Sequence, residues 1–277
     1  MVVTGASSGI GKAIALHLAQ RGFMVFAGVR KPEDGAALTA AAGSDAELVR
    51  PVELDVTVQE QVCAAADAVK AEGRPLAGLV NNAGIAVAAP MEFVPLEDLR
   101  RQFEVNVFGA VATVQAFMPQ VRASRGRLVM IGSISGLVSS RVLGAYAASK
   151  FALEAISDAF RRELAVWNIP VSVVEPGRIA TPIWSKSMGE ALERLQRMPP
   201  EALTYYGPLI EEVREGAEKA EVDGTPAEAV ARAVYRALTD RRPRTRYFVG
   251  FDAHLINALR RVLTDPMFDS LIRMTRR

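Results

Sequence analysis

The feature that most restricts what this chain can fold into is an alternation of short apolar runs with helical patterns, repeated along nearly its whole length. Met1-Val2-Val3 runs into Thr4-Gly5-Ala6-Ser7-Ser8-Gly9-Ile10-Gly11, and that turn opens a helical pattern of Ala13, Ile14 and Leu18. The pattern closes at Arg21-Gly22 with a cation and then a C-terminal glycine. Phe23 to Ala27 is a second apolar run, followed by an alanine-rich helix around 33–42. Leu48 to Val56 reads as a third strand, with a helix from near Thr57 to Gly73 carrying Val62, Ala66 and Val69. Leu79-Val80 ends a fourth at Asn81-Asn82-Ala83-Gly84, and 96–122 reads as a helix with Pro119 near its end. Arg127 to Ile131 is the fifth, Val171 to Val174 the sixth, stopped by Pro176-Gly177, and Arg246 to Val249 the seventh. Short continuous apolar runs suit strands buried on both faces. Strands alternating with helices imply a parallel sheet covered by helices on both sides. With no internal repeat or low-complexity linker, residues 1–277 read as one domain.

Residues 182–224 break the rhythm. They combine Trp184, Met188, Leu192, Leu195, Met198, Tyr205 and Tyr206 with Pro199-Pro200. Their prolines and glycines predict short pieces with little core, and their place after the sixth strand suits a cover over a ligand. Order is expected to return at Thr225-Pro226-Ala227-Glu228, which has the form of a capping box with proline at the first helical position. The net charge of +2 gives no reason to invoke nucleic acid. Residues 241–277 nevertheless hold nine Arg against three Asp, a local +6 that leaves −4 on the rest. A basic extension, 251–277, mixes Leu255, Ile256, Leu259, Val262 and Leu263 with Arg260 and Arg261. Such a segment packs its apolar side on the protein or makes peripheral contact with anionic lipid.

The single cysteine, Cys63, excludes an internal disulfide and reads as a small buried helix residue. No apolar run reaches membrane-spanning length, and the first ten residues lack a signal-peptide pattern, so a cytoplasmic protein is expected. His17 and His254 are the only histidines. Without a His/Cys cluster or a recognisable triad, neither a metal site nor a serine hydrolase is expected.

Tyr146-Ala147-Ala148-Ser149-Lys150 carries the chemistry, because residues four apart on a helix project from one face. Thirteen residues upstream, Gly132-Ser133-Ile134-Ser135-Gly136 delivers hydroxyls from the end of the fifth strand. A phenol, an ammonium and a hydroxyl together suit proton transfer at an alcohol oxygen. For Tyr146 to act as a base near neutral pH its pKa must fall by about 3 units, roughly 4 kcal/mol. A cation about 4 Å away, at an effective dielectric near 20, is worth about 4 kcal/mol before desolvation. Alone, Tyr-x-x-x-Lys also fits a helix with its tyrosine packed inside and its lysine solvated. The glycines at 5, 9 and 11 place backbone amides and a helix N-terminus where a pyrophosphate sits, although a tight ligand-free turn has the same form.

These segments agree with one another. The motifs TGASSGIG (4–11) and NNAG (81–84), then Asn106, Ser133, Tyr146-x-x-x-Lys150 and Pro176-Gly177 with Thr181, stand in the order and spacing of the short-chain dehydrogenase/reductase family, which the chain resembles closely over 1–181. The resemblance implies a doubly wound, Rossmann-type α/β fold with strand order 3-2-1-4-5-6-7 and a nicotinamide dinucleotide at the switch point. It implies that Tyr146 is the general acid/base, that Lys150 lowers its pKa and holds the nicotinamide ribose, and that Ser133 orients the substrate oxygen. Asn106 would complete a proton relay through water. Gly5, Ser7, Ser8, Gly9, Ile10 and Gly11 would cradle the pyrophosphate. Asp55 and Val56 would meet the adenine, Asn82, Ala83 and Gly84 the adenosine, and Thr181 the carboxamide, with Pro176, Gly177 and Ile179 beside it. Each polar member has a structural alternative: Asp55 as a helix-start acid, Asn82 as a turn former, Asn106 as a buried amide, Ser133 as a loop hydroxyl. At the end of the second strand, Val29 stands where enzymes using NAD usually carry an acid, and Arg30 follows with Lys31, favouring NADP(H) over NAD(H). The expected substrate is a small hydrophobic alcohol or carbonyl compound, and the resemblance implies a homodimer or homotetramer.

Overall fold

The computed structural model describes residues 1–181 and 198–274. In chain order run β1 (Val2–Val3), α1 (Gly9–Ala19), β2 (Val25–Val29), α2 (Pro32–Ala41), β3 (Val49–Glu53), α3 (Gln59–Ala71), β4 (Gly78–Asn81), α4 (Leu96–Phe103), α5 (Gly109–Ser124), β5 (Arg127–Ile131), α6 (Gly144–Leu164), β6 (Val171–Pro176), β7 (Ile179–Ala180), α7 (Pro200–Asp223), β8 (Thr225–Pro226), α8 (Ala227–Thr239), β9 (Arg246–Val249), α9 (Phe251–Val262) and α10 (Asp265–Met274). Seven strands form one parallel sheet in the order β3-β2-β1-β4-β5-β6-β9, and β7 pairs with β8 apart from it. Val2 lies between Phe26 and Leu79, and Val3 between Ala27 and Val80. The winding therefore reverses between β1 and β4, and the carboxyl ends of those strands mark where such sheets bind ligands.

Side-chain alternation along each strand sorts the core into two layers. Val129 and Ile131 of β5 pack with Ile14 and Leu18 of α1 and Val230 and Val234 of α8. Leu128 and Met130 face the other way, onto Val62 of α3, Val114 and Phe117 of α5, and Leu153 of α6. Burial on both faces is why these strands read as unbroken apolar runs.

Five sequence expectations are corrected. β3 ends at Glu53, short of Val56, because Asp55 Oδ1 accepts from Thr57 N at 2.9 Å and Thr57 Oγ1 at 2.7 Å and so turns the chain toward α3. The helix expected over 96–122 is interrupted by a π turn at Glu104–Phe108, and α5 then continues to Ser124 with Pro119 inside it. Thr225 is not a helix cap: its N–H donates to Arg178 O at 2.9 Å within the β7–β8 pair, so α8 starts at Ala227. Cys63 is exposed, because the phase of α3 turns Val62, Ala65, Ala66 and Val69 inward instead.

The fifth correction concerns the insert. Residues 200–223 are not short pieces but one helix of 24 residues, α7. Pro200 occupies its first turn, where a missing N–H is harmless, and Pro208 is the one interior interruption. The helix has packing partners: Leu209, Ile210 and Val213 against Ala88 and Val142, and Ala202 with Met198 against Ala89, Phe93 and Val94. Arg141 pairs with Glu212 at 3.0 Å, and the Tyr206 hydroxyl donates to Glu92 at 2.6 Å. Trp184, Met188, Leu192 and Leu195 lie outside the described residues. No helix among the described residues is long and apolar enough to cross a membrane. At the C-terminal end Ala253 and Phe268 are buried, whereas Phe251, Leu255, Val262 and Met267 are exposed.

Candidate active site

β5 and α6 bring the catalytic candidates together. Beyond β5, Gly132 N donates to Val174 O at 2.8 Å, and Ser133 follows in extended conformation with its Oγ accepting from Ser135 N at 3.1 Å. The same hydroxyl is hydrogen bonded to the Tyr146 phenol. One turn further along α6, Lys150 Nζ donates to Ile131 O at 2.8 Å and stands 5.8 Å from the centre of the Tyr146 ring. All three side chains are buried. The loop entering α6 is held in an unfavourable conformation: Val142 has φ 65°, a region that β-branched residues rarely enter. Its carbonyl accepts from Ala89 N at 2.8 Å, and its side chain lies under α7.

Electrostatics of the protein alone hold the proton on Tyr146. Burial pushes its phenol up to about 12, the Ser133 hydrogen bond opposes the rise, and Glu175 would add to it only when ionised. Burial lowers Lys150 to about 8, against the pull that an ionised Glu175 and Glu154 exert. Desolvation dominates at both groups, which are shut away from water, and the lysine is turned to a backbone carbonyl.

Asn106 lies in the π turn, and its side chain makes three hydrogen bonds. Oδ1 accepts from Ile85 N at 2.9 Å, while Nδ2 donates to Ile85 O at 3.0 Å and to Ser149 Oγ at 3.1 Å. The amide therefore pins the 85 loop to α6. Gln102 supports the same loop, accepting from Val87 N at 2.7 Å and donating to Ile85 O at 2.8 Å. Nothing in the sequence marked Gln102 or Ser149.

The glycine turn is a cradle closed by neighbouring backbone. Gly5 and Gly9 have φ 64° and 54°, and a Cβ on Gly11 would stand 2.1 Å from Gly5 O and 2.4 Å from Asn82 Nδ2. Thr4 Oγ1 accepts from Asn82 N and Ala83 N, each at 2.9 Å, and Asn82 Nδ2 donates to Thr4 O and Gly5 O at 2.9 and 3.0 Å. Asn82 thus shapes the turn from behind. Thr4 was missed because a threonine at a strand end is unremarkable. Ser8 is the N-cap residue of α1 yet makes no side-chain cap bond, and no acid occupies the first turn, so the helix end is open to an anion beside Ser7 and Ile10. Arg30 is exposed just past β2, with no ion pair or hydrogen bond among the described residues. Val56 packs against α5, where a Cβ on Gly109 would meet it at 2.6 Å, and Gly84 is exposed beside Asn106. Pro176 ends β6; Gly177 abuts Asp252, which also accepts from Arg178 N at 2.7 Å; Ile179 pairs with Thr225, and Thr181 is buried. Glu154, Glu175 and Arg246 were not expected at the site, although a lone carboxylate in the apolar run of β6 was a visible signal.

The open helix end and the close-packed glycine cradle fit the pyrophosphate of a dinucleotide. The family model of the short chain dehydrogenase matches residues 1–191. The chain is 35% identical over 277 residues to an NADPH-dependent 3-dehydrocapnine reductase of Ornithobacterium rhinotracheale, covering 98% of this chain and 94% of that one. It is 36% identical over 261 residues to human retinol dehydrogenase 16, covering 92% and 81% respectively. A short-chain dehydrogenase/reductase of Burkholderia phymatum in complex with NAD superposes with a TM-score of 0.78 at 25% identity, covering 94% of this chain and 91% of that one. With Ser133, Tyr146 and Lys150 assembled beside a glycine cradle on a parallel sheet, the chain belongs to the short-chain dehydrogenase/reductase family of oxidoreductases.

Proposed function

We propose that this protein interconverts a hydrophobic secondary alcohol and its ketone, with Tyr146 moving the proton at the substrate oxygen. The observation that carries it is the Ser133–Tyr146 hydrogen bond with Lys150 one turn away, all at the carboxyl end of β5. A nicotinamide dinucleotide, when bound, supplies or accepts the hydride. Gly5, Ser7, Ser8, Gly9 and Gly11 would hold its pyrophosphate, and Lys150 would hold its nicotinamide ribose. Ser133 orients the substrate oxygen, and Tyr146, protonated in the resting protein, donates to that oxygen during carbonyl reduction. The face of α7 that covers residues 88–94 and 142 is apolar, which suits a hydrophobic substrate, as does the retinol dehydrogenase relative. A turnover screen of hydrophobic alcohols and ketones with both dinucleotides tests the reading. No turnover across that panel would remove it.

Cofactor preference falls to the end of β2. Arg30 and Lys31 offer two exposed cations where a carboxylate would repel a 2′-phosphate, and the relative from Ornithobacterium is named for NADPH. Glu33 and Asp34 in the first turn of α2 are the competing acids. NADP(H) is favoured by roughly 1.5 to 3 kcal/mol, or about ten- to hundredfold. Arg30→Ala is expected to erase most of that preference, read as the ratio of kcat/KM for the two dinucleotides. Equal weakening with both would show that Arg30 does not read the 2′-phosphate.

The exposed Phe251, Leu255 and Val262 on α9, with Arg261, favour a second reading alongside the first: peripheral attachment to an anionic membrane. Sedimentation with vesicles of anionic phospholipid should carry wild type down and leave a Phe251→Asp/Val262→Asp variant in the supernatant. Equal recovery of both in the supernatant would reject attachment through this helix.

A further inference from the structure

Glu175, the penultimate residue of β6, is fully buried, and neither of its carboxyl oxygens has a donor among the described residues. Glu154 on α6 has the same deficit at Oε1 only; its Oε2 accepts from Arg246 Nε at 3.1 Å and Nη2 at 2.7 Å. The two carboxyl groups lie within hydrogen-bonding range of each other. Two carboxylates so placed in a buried site repel strongly, and one shared proton resolves both deficits by turning an acceptor into a donor. Arg246 decides which group holds it. Arg246 gives two charge-assisted bonds to Glu154 and none to Glu175, so the shared proton sits on Glu175, which donates to Glu154 Oε1. Burial and the neighbouring Glu154 carboxylate push Glu175 up to about 10, in agreement with that assignment.

Its surroundings tie this acid to the catalytic pair. Tyr146, Lys150 and Glu154 face it from α6, and Arg246 from β9, with Asp158 behind, accepting from Arg246 Nη2 at 3.3 Å. On the β5 side a Cβ on Gly132 would stand 2.6 Å from Glu175 Oε2, next to the Ile131 carbonyl that anchors Lys150. A negative charge on Glu175 would hold the proton on Tyr146 and on Lys150. Building on the catalytic reading above, we propose that Glu175 is a neutral-acid positioning residue, which locks Glu154 and Arg246 beneath Lys150 while adding no negative charge beside Tyr146.

The test separates this inference from the catalytic reading by using one measurement that needs no turnover. Infrared difference spectra of wild type against Glu175→Gln near neutral pH should show a protonated-carboxyl stretch in wild type that the variant lacks; carboxylate bands alone would overturn the inference. The second measurement is the pH profile of kcat/KM for alcohol oxidation, whose rising limb reports loss of the Tyr146 proton. In Glu154→Gln the anion that keeps Glu175 protonated is gone and Arg246 is free to pair with Glu175. The limb should then move to higher pH by about one unit, and it should return in the Glu154→Gln/Glu175→Gln double variant. Glu175→Gln alone should keep the limb in its wild-type position, whereas a shift to lower pH would mean that Glu175 was ionised, contradicting the proposal. Glu154→Gln without a shift would also overturn it. Absence of turnover would reject the catalytic reading, with the infrared band still deciding where the proton sits.

Discussion

Tyr146→Phe is expected to lower turnover by at least about 10²-fold while changing dinucleotide affinity by less than about threefold. Phenylalanine keeps the buried ring and its contacts on α6 and deletes only the hydroxyl, which is the partner of Ser133 and the group that meets the substrate oxygen. The unshared effect on turnover and affinity follows from that: the hydroxyl is needed in the reaction, not in the glycine cradle. With the phenol pushed up to about 12 by burial, the protein alone presents a proton donor. Carbonyl reduction should therefore persist toward lower pH, and alcohol oxidation should gain as pH rises, helped by the positive charge of an oxidised nicotinamide. Steady-state kinetics and a fluorescence titration of the reduced dinucleotide check both halves. A variant with wild-type turnover would end the assignment of Tyr146 as the proton carrier.

Lys150→Ala should damage two things at once, lowering kcat/KM by about 10²-fold or more and weakening dinucleotide binding by roughly tenfold, because one ammonium serves Tyr146 and the cofactor. It should also change how stability depends on pH. Lys150 is lowered from 10.5 to about 8 in the folded protein, so between those values the unfolded chain holds more protons and stability rises with pH. Below about 8 the cost of burying the charge is fully present. Glu175, raised from 4.5 to about 10, acts in the opposite sense: the folded protein retains its proton, and stability falls as pH rises through that range. The two slopes overlap, so the informative quantity is the difference between wild type and Lys150→Ala in denaturant unfolding, measured near neutral pH and again near the top of the lysine window. Wild type should gain on the variant as pH rises. An unchanged difference would mean that Lys150 is not held at a depressed pKa, and unchanged dinucleotide affinity would leave it without its second role.

The sequence by itself determined the sheet. Apolar runs such as Arg127–Ile131, buried on both faces, and the alternating Arg246–Val249 at the sheet edge are local patterns written into consecutive residues, so all seven strands of the main sheet were legible, as was the glycine turn between β1 and α1. The catalytic trio was legible for the same reason, since Tyr146 and Lys150 are one helical turn apart and Ser133 sits at the end of a strand that must point to the same cleft. Tertiary structure decided what the polar residues around them do. Asn82 reaches back 78 residues to Thr4, and Asn106 spans 43 residues to Ser149, so both amides serve as clamps whose partners no local pattern names. Cys63 faces outward because the inward phase of α3 is set by the sheet beneath it, and α7 forms a continuous helix because the loops at 88–94 and 142 give its apolar side something to cover. Whether Glu175 carries a proton depends on Glu154 from α6 and Arg246 from β9 converging on it in a buried site, because a carboxyl's charge is set by its three-dimensional surroundings and not by its neighbours in the chain.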